Sequence, residues 1–157
     1  MATMGVDLLF LDTNILVHAS VADSSRHSEC VAFLQLQEDA GTRMVINRQV
    51  LREFMAVLSR PQSFTPRIPM DKIVSLVTAF RQAWTVLDET EESDDQLLRL
   101  VSEIPCGGKQ VHDANIVATM LAHNIPTLST YNLADFRRFG QHIRLTTPGK
   151  PEQDNQW

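Results

Sequence analysis

A chain of 157 residues is long enough for one domain with a real core and short for two. Hydrophobic content of 43% and charged content of 21% are those of an ordinary globular protein. A net charge of −5 excludes a protein that coats nucleic acid through a strong basic field, but not an enzyme that meets phosphates through metal ions.

The first informative stretch is Leu8-Leu9-Phe10-Leu11-Asp12-Thr13-Asn14-Ile15-Leu16-Val17, an apolar run broken by one carboxylate and two small polar residues. It reads as a strand buried on both faces, with Asp12 at its carboxyl end, where open α/β sheets place their ligands. Thr13 or Asn14 can cap the helix that follows, and Asp12 is either a cap itself or a site acid. Asp7 and Asp12 interrupt this run, no basic segment precedes it, and no stretch approaches the ~20 apolar residues of a membrane span, so the expected setting is the cytoplasm. The two cysteines, Cys30 and Cys106, match no metal spacing and read as thiols of a reducing compartment.

Further along, a short helix runs over Ile15–Ala19. Ser24-Ser25 offers a cap for a longer helix in which Cys30, Val31, Phe33, Leu34 and Leu36 supply a broad apolar side, ending near Ala40-Gly41. Met44–Ile46 is a second strand, and Asn47 caps a helix to Ser59 that Pro61 stops. The stretch from Gln62 to Pro69 is a proline-stiffened loop. Met70–Ala83 is an amphipathic helix with Ile73, Val74, Val77, Phe80 and Trp84 at helical spacing, serving the core, a dimer seam or a partner groove.

Trp84–Leu87 is a third strand, and Asp88–Asp95 an acidic turn leading into a helix through Leu97, Leu98, Leu100 and Val101. After a flexible loop at Pro105–Lys109 come a helix from Asp113 to His123, a strand at Thr127–Ser129, a turn or short helix at Tyr131–Phe139 and a strand at Ile143–Thr146. Residues 1–147 form one domain, and the polar tail 148–157 is expected to be disordered. Alternating strands and helices predict an α/β fold around a central parallel sheet.

Two further acids stand where acids are costly. In a helix Glu53 lies three or four residues from Val50, Ala56 and Val57, and Asp113 shares a face with Ile116, Val117, Met120 and Leu121. A buried carboxylate needs a cation, a hydrogen-bond partner or solvent. Singly, Asp113 can be a helix cap and Glu53 can pair with Arg48, Arg52 or another arginine; jointly with Asp12 they are better explained by one site. Oxygen-only ligands select hard cations, Mg²⁺ or Mn²⁺, which suit hydrolysis of phosphodiesters.

Leu11-Asp12-Thr13-Asn14-Ile15-Leu16, Leu51-Arg52-Glu53-Phe54, His112-Asp113-Ala114-Asn115-Ile116-Val117-Ala118 and Thr130-Tyr131-Asn132-Leu133-Ala134-Asp135-Phe136, in that order, resemble the successive motifs of the PIN domain, most of all its VapC type, the toxin ribonucleases of bacterial toxin–antitoxin pairs. The likeness spans about residues 7–146. It implies a three-layer α/β/α single domain with a central parallel sheet, an Mg²⁺- or Mn²⁺-dependent endoribonuclease, homodimers and inhibition by a cognate antitoxin. By that resemblance Asp12, Glu53 and Asp113 are metal ligands.

At the fourth acidic position Asn132 stands where many members carry the acid, with Asp135 one helical turn on as helper or substitute. Thr130 either turns its hydroxyl toward a metal water or phosphate or caps the strand end. Thr13 and Asn14 can orient Asp12 or touch substrate. His112 stays outside the catalytic set, while Arg48, Arg52, Lys109, Arg137 and Arg138 flank the motifs as candidate phosphate contacts.

A phosphoacceptor receiver or an acidic-site phosphohydrolase would want a second acid close to Asp12, and a dinucleotide binder a glycine-rich turn; Asp12-Thr13-Asn14 supplies neither. A catalytically weak or inactive binding module of the same fold remains the rival, because of Asn132.

Overall fold

The structure, a computed structural model, describes residues 5–149. Five short strands form one all-parallel sheet: β1 (Leu8–Leu11), β2 (Arg43–Asn47), β3 (Thr85–Leu87), β4 (Thr127–Ser129) and β5 (Arg144–Thr146), in the order β3-β2-β1-β4-β5. β1 occupies the centre because its side chains are apolar on both faces: Leu9, Phe10 and Leu11 are buried.

The order of the strands decides where a ligand can sit. From β1 the chain steps outward to β2 and β3, then returns across the sheet to β4 and steps out the other way to β5. Right-handed crossovers put helices of opposite travel on opposite faces. One face carries α1 (Thr13–Ser20), α2 (His27–Asp39), α3 (Arg48–Leu58) and α4 (Met70–Ala83); the other carries α5 (Glu91–Glu103), α6 (Gln110–Ala122) and α7 (Leu133–Phe136), which leads into a 3₁₀ turn at Arg137–Phe139. Contacts follow that division: α1 packs on α2 and α3, α3 on α4, α5 on α6, and α6 on α7. The result is a three-layer α/β/α fold whose connections diverge between β1 and β4, opening a crevice beyond their carboxyl ends.

Several local expectations are corrected. α1 begins at Thr13, with Asp12 as its cap instead of Thr13 or Asn14. α2 has Arg26 at its cap with no side-chain bond, while Ser24 Oγ accepts from the Arg26 N–H. Its apolar side is narrower than expected: Cys30 is buried, Phe33 and Leu34 pack at the core's edge, and Val31 and Leu36 face solvent. Val74 likewise leaves the α4 stripe, in which Ile73 is buried and Phe80 meets Phe54 edge-on at 5.1 Å and stacks on Trp84 at 5.1 Å.

α5 starts at Glu91, inside the expected acidic turn, because Thr90 and Ser93 close a capping box and Glu91, Glu92 and Asp94 favour the positive end of the helix. α6 starts at Gln110, three residues earlier than expected, so Asp113 lies within the helix and does not cap it. Asn47 caps α3 as expected, accepting from the Val50 N–H at 3.0 Å. Most of the tail that begins at Pro148, residues 150–157, lies outside the described residues. Among the described residues no helix is long and apolar enough to cross a membrane.

Candidate active site

Where β1 hands over to α1, Asp12 is 6% exposed, and each of its oxygens has partners. Oδ1 accepts from the Thr13 N–H at 2.8 Å. Oδ2 accepts from the Thr130 hydroxyl at 2.7 Å and from Asn14 Nδ2 at 3.2 Å. Capping and a place in the crevice are therefore compatible, because one oxygen serves the helix and the other faces β4. Loss of water pushes the Asp12 carboxyl up to about 6, with the charge of Glu53 adding to the rise and the bonds from Thr130, Thr13 and Asn14 opposing it.

Glu53 reaches the same crevice from α3. It flanks the buried stripe of Val50, Leu51, Phe54 and Leu58, and Ala56, expected beside it in the packed stripe, is exposed. Arg48, expected as a possible partner for it, pairs instead with Asp88 at 2.8 Å. Neutral donors fix both oxygens of Glu53, the Thr13 hydroxyl at 2.6 Å and Gln49 Nε2 at 2.7 Å.

Gln49 is itself fixed. Its amide nitrogen also donates to the His112 carbonyl at 3.0 Å, and its oxygen accepts from Asn115 Nδ2 at 2.7 Å, which donates in turn to Glu89 at 2.9 Å. This amide relay between α3 and α6 escapes a reading that looks only for acids. Its signal was the placing of Gln49 four residues before Glu53, on one helix face. Gln49→Leu, which keeps the volume and removes the donor, should lower any activity that depends on Glu53 by roughly 10–100-fold, measured as kcat/KM beside an unchanged circular dichroism spectrum.

Asp113, half-buried on α6, is pushed up to about 6 by loss of water first, then by Asp12, Asp135 and Glu53 in turn, against the relief given by Arg138. Asp113 thus feels three other acids across the crevice. Asp12, Glu53, Asp113 and Asn132 line one cleft of about 480 Å³, with Lys109 and Arg60 also in its walls; sequence reasoning had not singled out Arg60. Asp135 is exposed and acts on Asp113 through its charge. The Thr130 hydroxyl is turned onto Asp12 while accepting from Asn14 Nδ2 and the Asn132 N–H, so it orients the acid rather than facing the cleft. His112 contributes its carbonyl, with its side chain exposed.

Among the described residues no three Asp, Glu, His or Cys side chains converge into a finished metal cage. The donor chemistry nevertheless fits a hard divalent cation: oxygen ligands only, with Asp12 and Asp113 raised by loss of water and then by nearby acids, a cost that a cation between them would lower.

Comparison with known proteins agrees with this architecture. Ribonuclease VapC24 of Mycobacterium tuberculosis is 26% identical over 136 residues, covering 85% of this chain and 92% of the relative. Among solved structures, VapBC2 of Rickettsia felis, bound to a DNA fragment from its promoter, superposes with a TM-score of 0.67 at 21% identity over 89% of this chain and 98% of the other. VapC20 of Mycobacterium tuberculosis, a sarcin-ricin loop cleaving toxin, does so with a TM-score of 0.63 at 16% identity over 86% and 95%. The family model for the PIN domain matches residues 9–141, most of the chain, and by that match together with its fold this protein is a member of the PIN domain family.

Proposed function

We propose that this protein is a metal-dependent endoribonuclease, the toxin of a toxin–antitoxin pair, acting in the cytoplasm. The observation that carries the reading is the meeting of Asp12, Glu53 and Asp113 in one cleft at the crevice between β1 and β4, with Asp12 and Asp113 both raised by loss of water first and by acidic neighbours after it. Its curated relative is named a ribonuclease, and the solved neighbours include VapBC toxin–antitoxin complexes.

Asp12, Glu53 and Asp113 would hold Mg²⁺ or Mn²⁺, which when bound lowers the pKa of a water and neutralises a phosphodiester oxygen. Around it Thr13, Gln49, Asn14 and Thr130 fix the two more deeply held carboxylates before substrate arrives, so little reorganisation is left for the reaction. Asn132 adds an uncharged donor and acceptor at the mouth, Asp135 a charge nearby, and Lys109 and Arg60 cations for RNA phosphates. A cognate antitoxin is the expected inhibitor. The apolar groove of about 400 Å³ between α2 and α4, with Val31, Leu34, Leu76, Phe80 and Trp84 in its walls, offers it a surface, and a homodimer is the expected assembly.

The test is cleavage of tRNA and rRNA fragments by purified, metal-stripped protein to which Mg²⁺ or Mn²⁺ is returned. Cuts that appear with the ion and vanish with chelator support the reading. Metal-independent cuts overturn it, as does hydrolysis confined to small phosphomonoesters. Metal binding without any cleavage would leave an inactive module in which the neutral Asn132 has replaced a needed charge.

A further inference from the structure

The cleft that holds the acids is not walled by acids alone. Val17 and His18 of α1, Val57 of α3 and Phe64 of the loop between α3 and α4 also line it, together with Arg60 and Gln62. Acids and aromatic rings within a single cleft of about 480 Å³ match the two parts that a nucleotide presents, phosphate and base.

Both rings are set in place. Phe64 sits in a four-residue turn closed by reciprocal backbone bonds between Gln62 and Thr65 at 2.8 and 3.3 Å. The Gln62 amide also donates to the Val57 carbonyl at 2.8 Å, and Ile68 N–H to the Leu58 carbonyl at 2.9 Å, which ties the loop to the end of α3 at both of its sides. His18 is held through Nδ1 by the Ser24 hydroxyl at 2.6 Å. Its ring lies 5.4 Å from Phe64 and meets Tyr131 edge-on at 5.2 Å, and the Arg26 guanidinium covers Tyr131 from 4.3 Å. Partial burial, with the charge of Arg26 adding to it and that of Glu29 opposing it, holds the His18 imidazole below its ordinary pKa and so favours the neutral ring. A wall of neutral, preoriented rings binds a flat apolar partner at little entropic cost.

We propose that His18 and Phe64 form a nucleobase-stacking subsite that takes an unpaired base of single-stranded RNA next to the bond cut at the acids. The acids and their cation address only phosphate and ribose, which every nucleotide shares, so base contacts must come from another part of the cleft. Unpaired bases are recognised by stacking on aromatic side chains, and His18 and Phe64 supply these within the same cleft as the acids. The proposal rests on the endoribonuclease reading for its substrate, though not for the binding that it predicts.

Two measurements on the full chain test it. In the first, adenosine and uridine monophosphates are titrated against ribose 5-phosphate while the ring signals of His18 and Phe64 are followed by NMR. The nucleotides should shift both rings and ribose 5-phosphate neither; equal shifts, or none, overturn the subsite. In the second, Phe64→Leu, which keeps apolar volume for the loop, should raise KM for a short single-stranded RNA by roughly 5–100-fold with kcat little changed, and Phe64→Trp should restore it. An abasic nucleotide at the stacked position should cost the wild type that same factor and the Leu variant nothing more. Cleavage with no dependence on the base or on Phe64 overturns the subsite and leaves the nuclease standing; base-dependent ring shifts in a protein that cuts no RNA do the reverse.

Discussion

Asp12→Asn should lower metal-dependent RNA cleavage by more than about a hundredfold and yet raise the melting temperature of the metal-free protein at pH 7.5 by about 2–4 °C. The first effect follows from removing a ligand charge at the most buried point of the cleft. The second follows from linkage. The folded-state pKa of Asp12 lies above its ordinary 3.8, at about 6, so folding favours the protonated form. Stability is then fullest below the unfolded pKa, falls as pH rises from about 4 to 6, and stays lowered above that.

The rise to about 6 corresponds to roughly 3 kcal/mol, an upper bound. Asparagine recovers only part of it, because its amide nitrogen cannot accept from Thr130 or Asn14 as Oδ2 does. A net gain of about 1 kcal/mol at pH 7.5, fading toward pH 4.5, is the expected result. Thermal melts of both proteins at the two pH values decide it: a variant less stable at pH 7.5 by the same margin as at pH 4.5 contradicts the buried-charge account. Retained cleavage contradicts the assignment of Asp12.

The second large effect is the stabilisation that a divalent ion confers. Mn²⁺ at about a hundred times its dissociation constant should stabilise the native state by roughly 2.7 kcal/mol, or about 5–10 °C in melting temperature at pH 7.5. The gain should shrink as pH falls below about 6, since Asp12 and Asp113 both take up protons there and a protonated carboxyl is a poor ligand. Asp113→Asn should abolish most of the gain at pH 7.5. A melting temperature indifferent to Mn²⁺ across this pH range would show that the acids tolerate each other without a cation.

How much of this was legible in the chain depends on the range over which each feature is decided. The apolar run at Leu8–Leu11, the Asn47 cap, Pro61 and the alternation of strand and helix are local, and they determined the parallel α/β class and that Asp12 would stand at a strand's carboxyl end. Glu53 and Asp113 were conspicuous because a carboxylate near a helix's packed face is costly anywhere. The width of the α2 face was not legible, since Val31 and Leu36 keep helical spacing whether or not a neighbour covers them, and both are exposed.

Only the tertiary structure decided who holds whom. Thr13 and Gln49 fix Glu53, Thr130 turns inward onto Asp12 from 118 positions away, and Phe64 arrives beside His18 from a loop that the sequence showed only as rigid. The residue types and the periodicity of the sequence set which groups are costly to bury. Which partner meets that cost depends on crossovers between distant strands, and those are settled by the packing of the whole sheet.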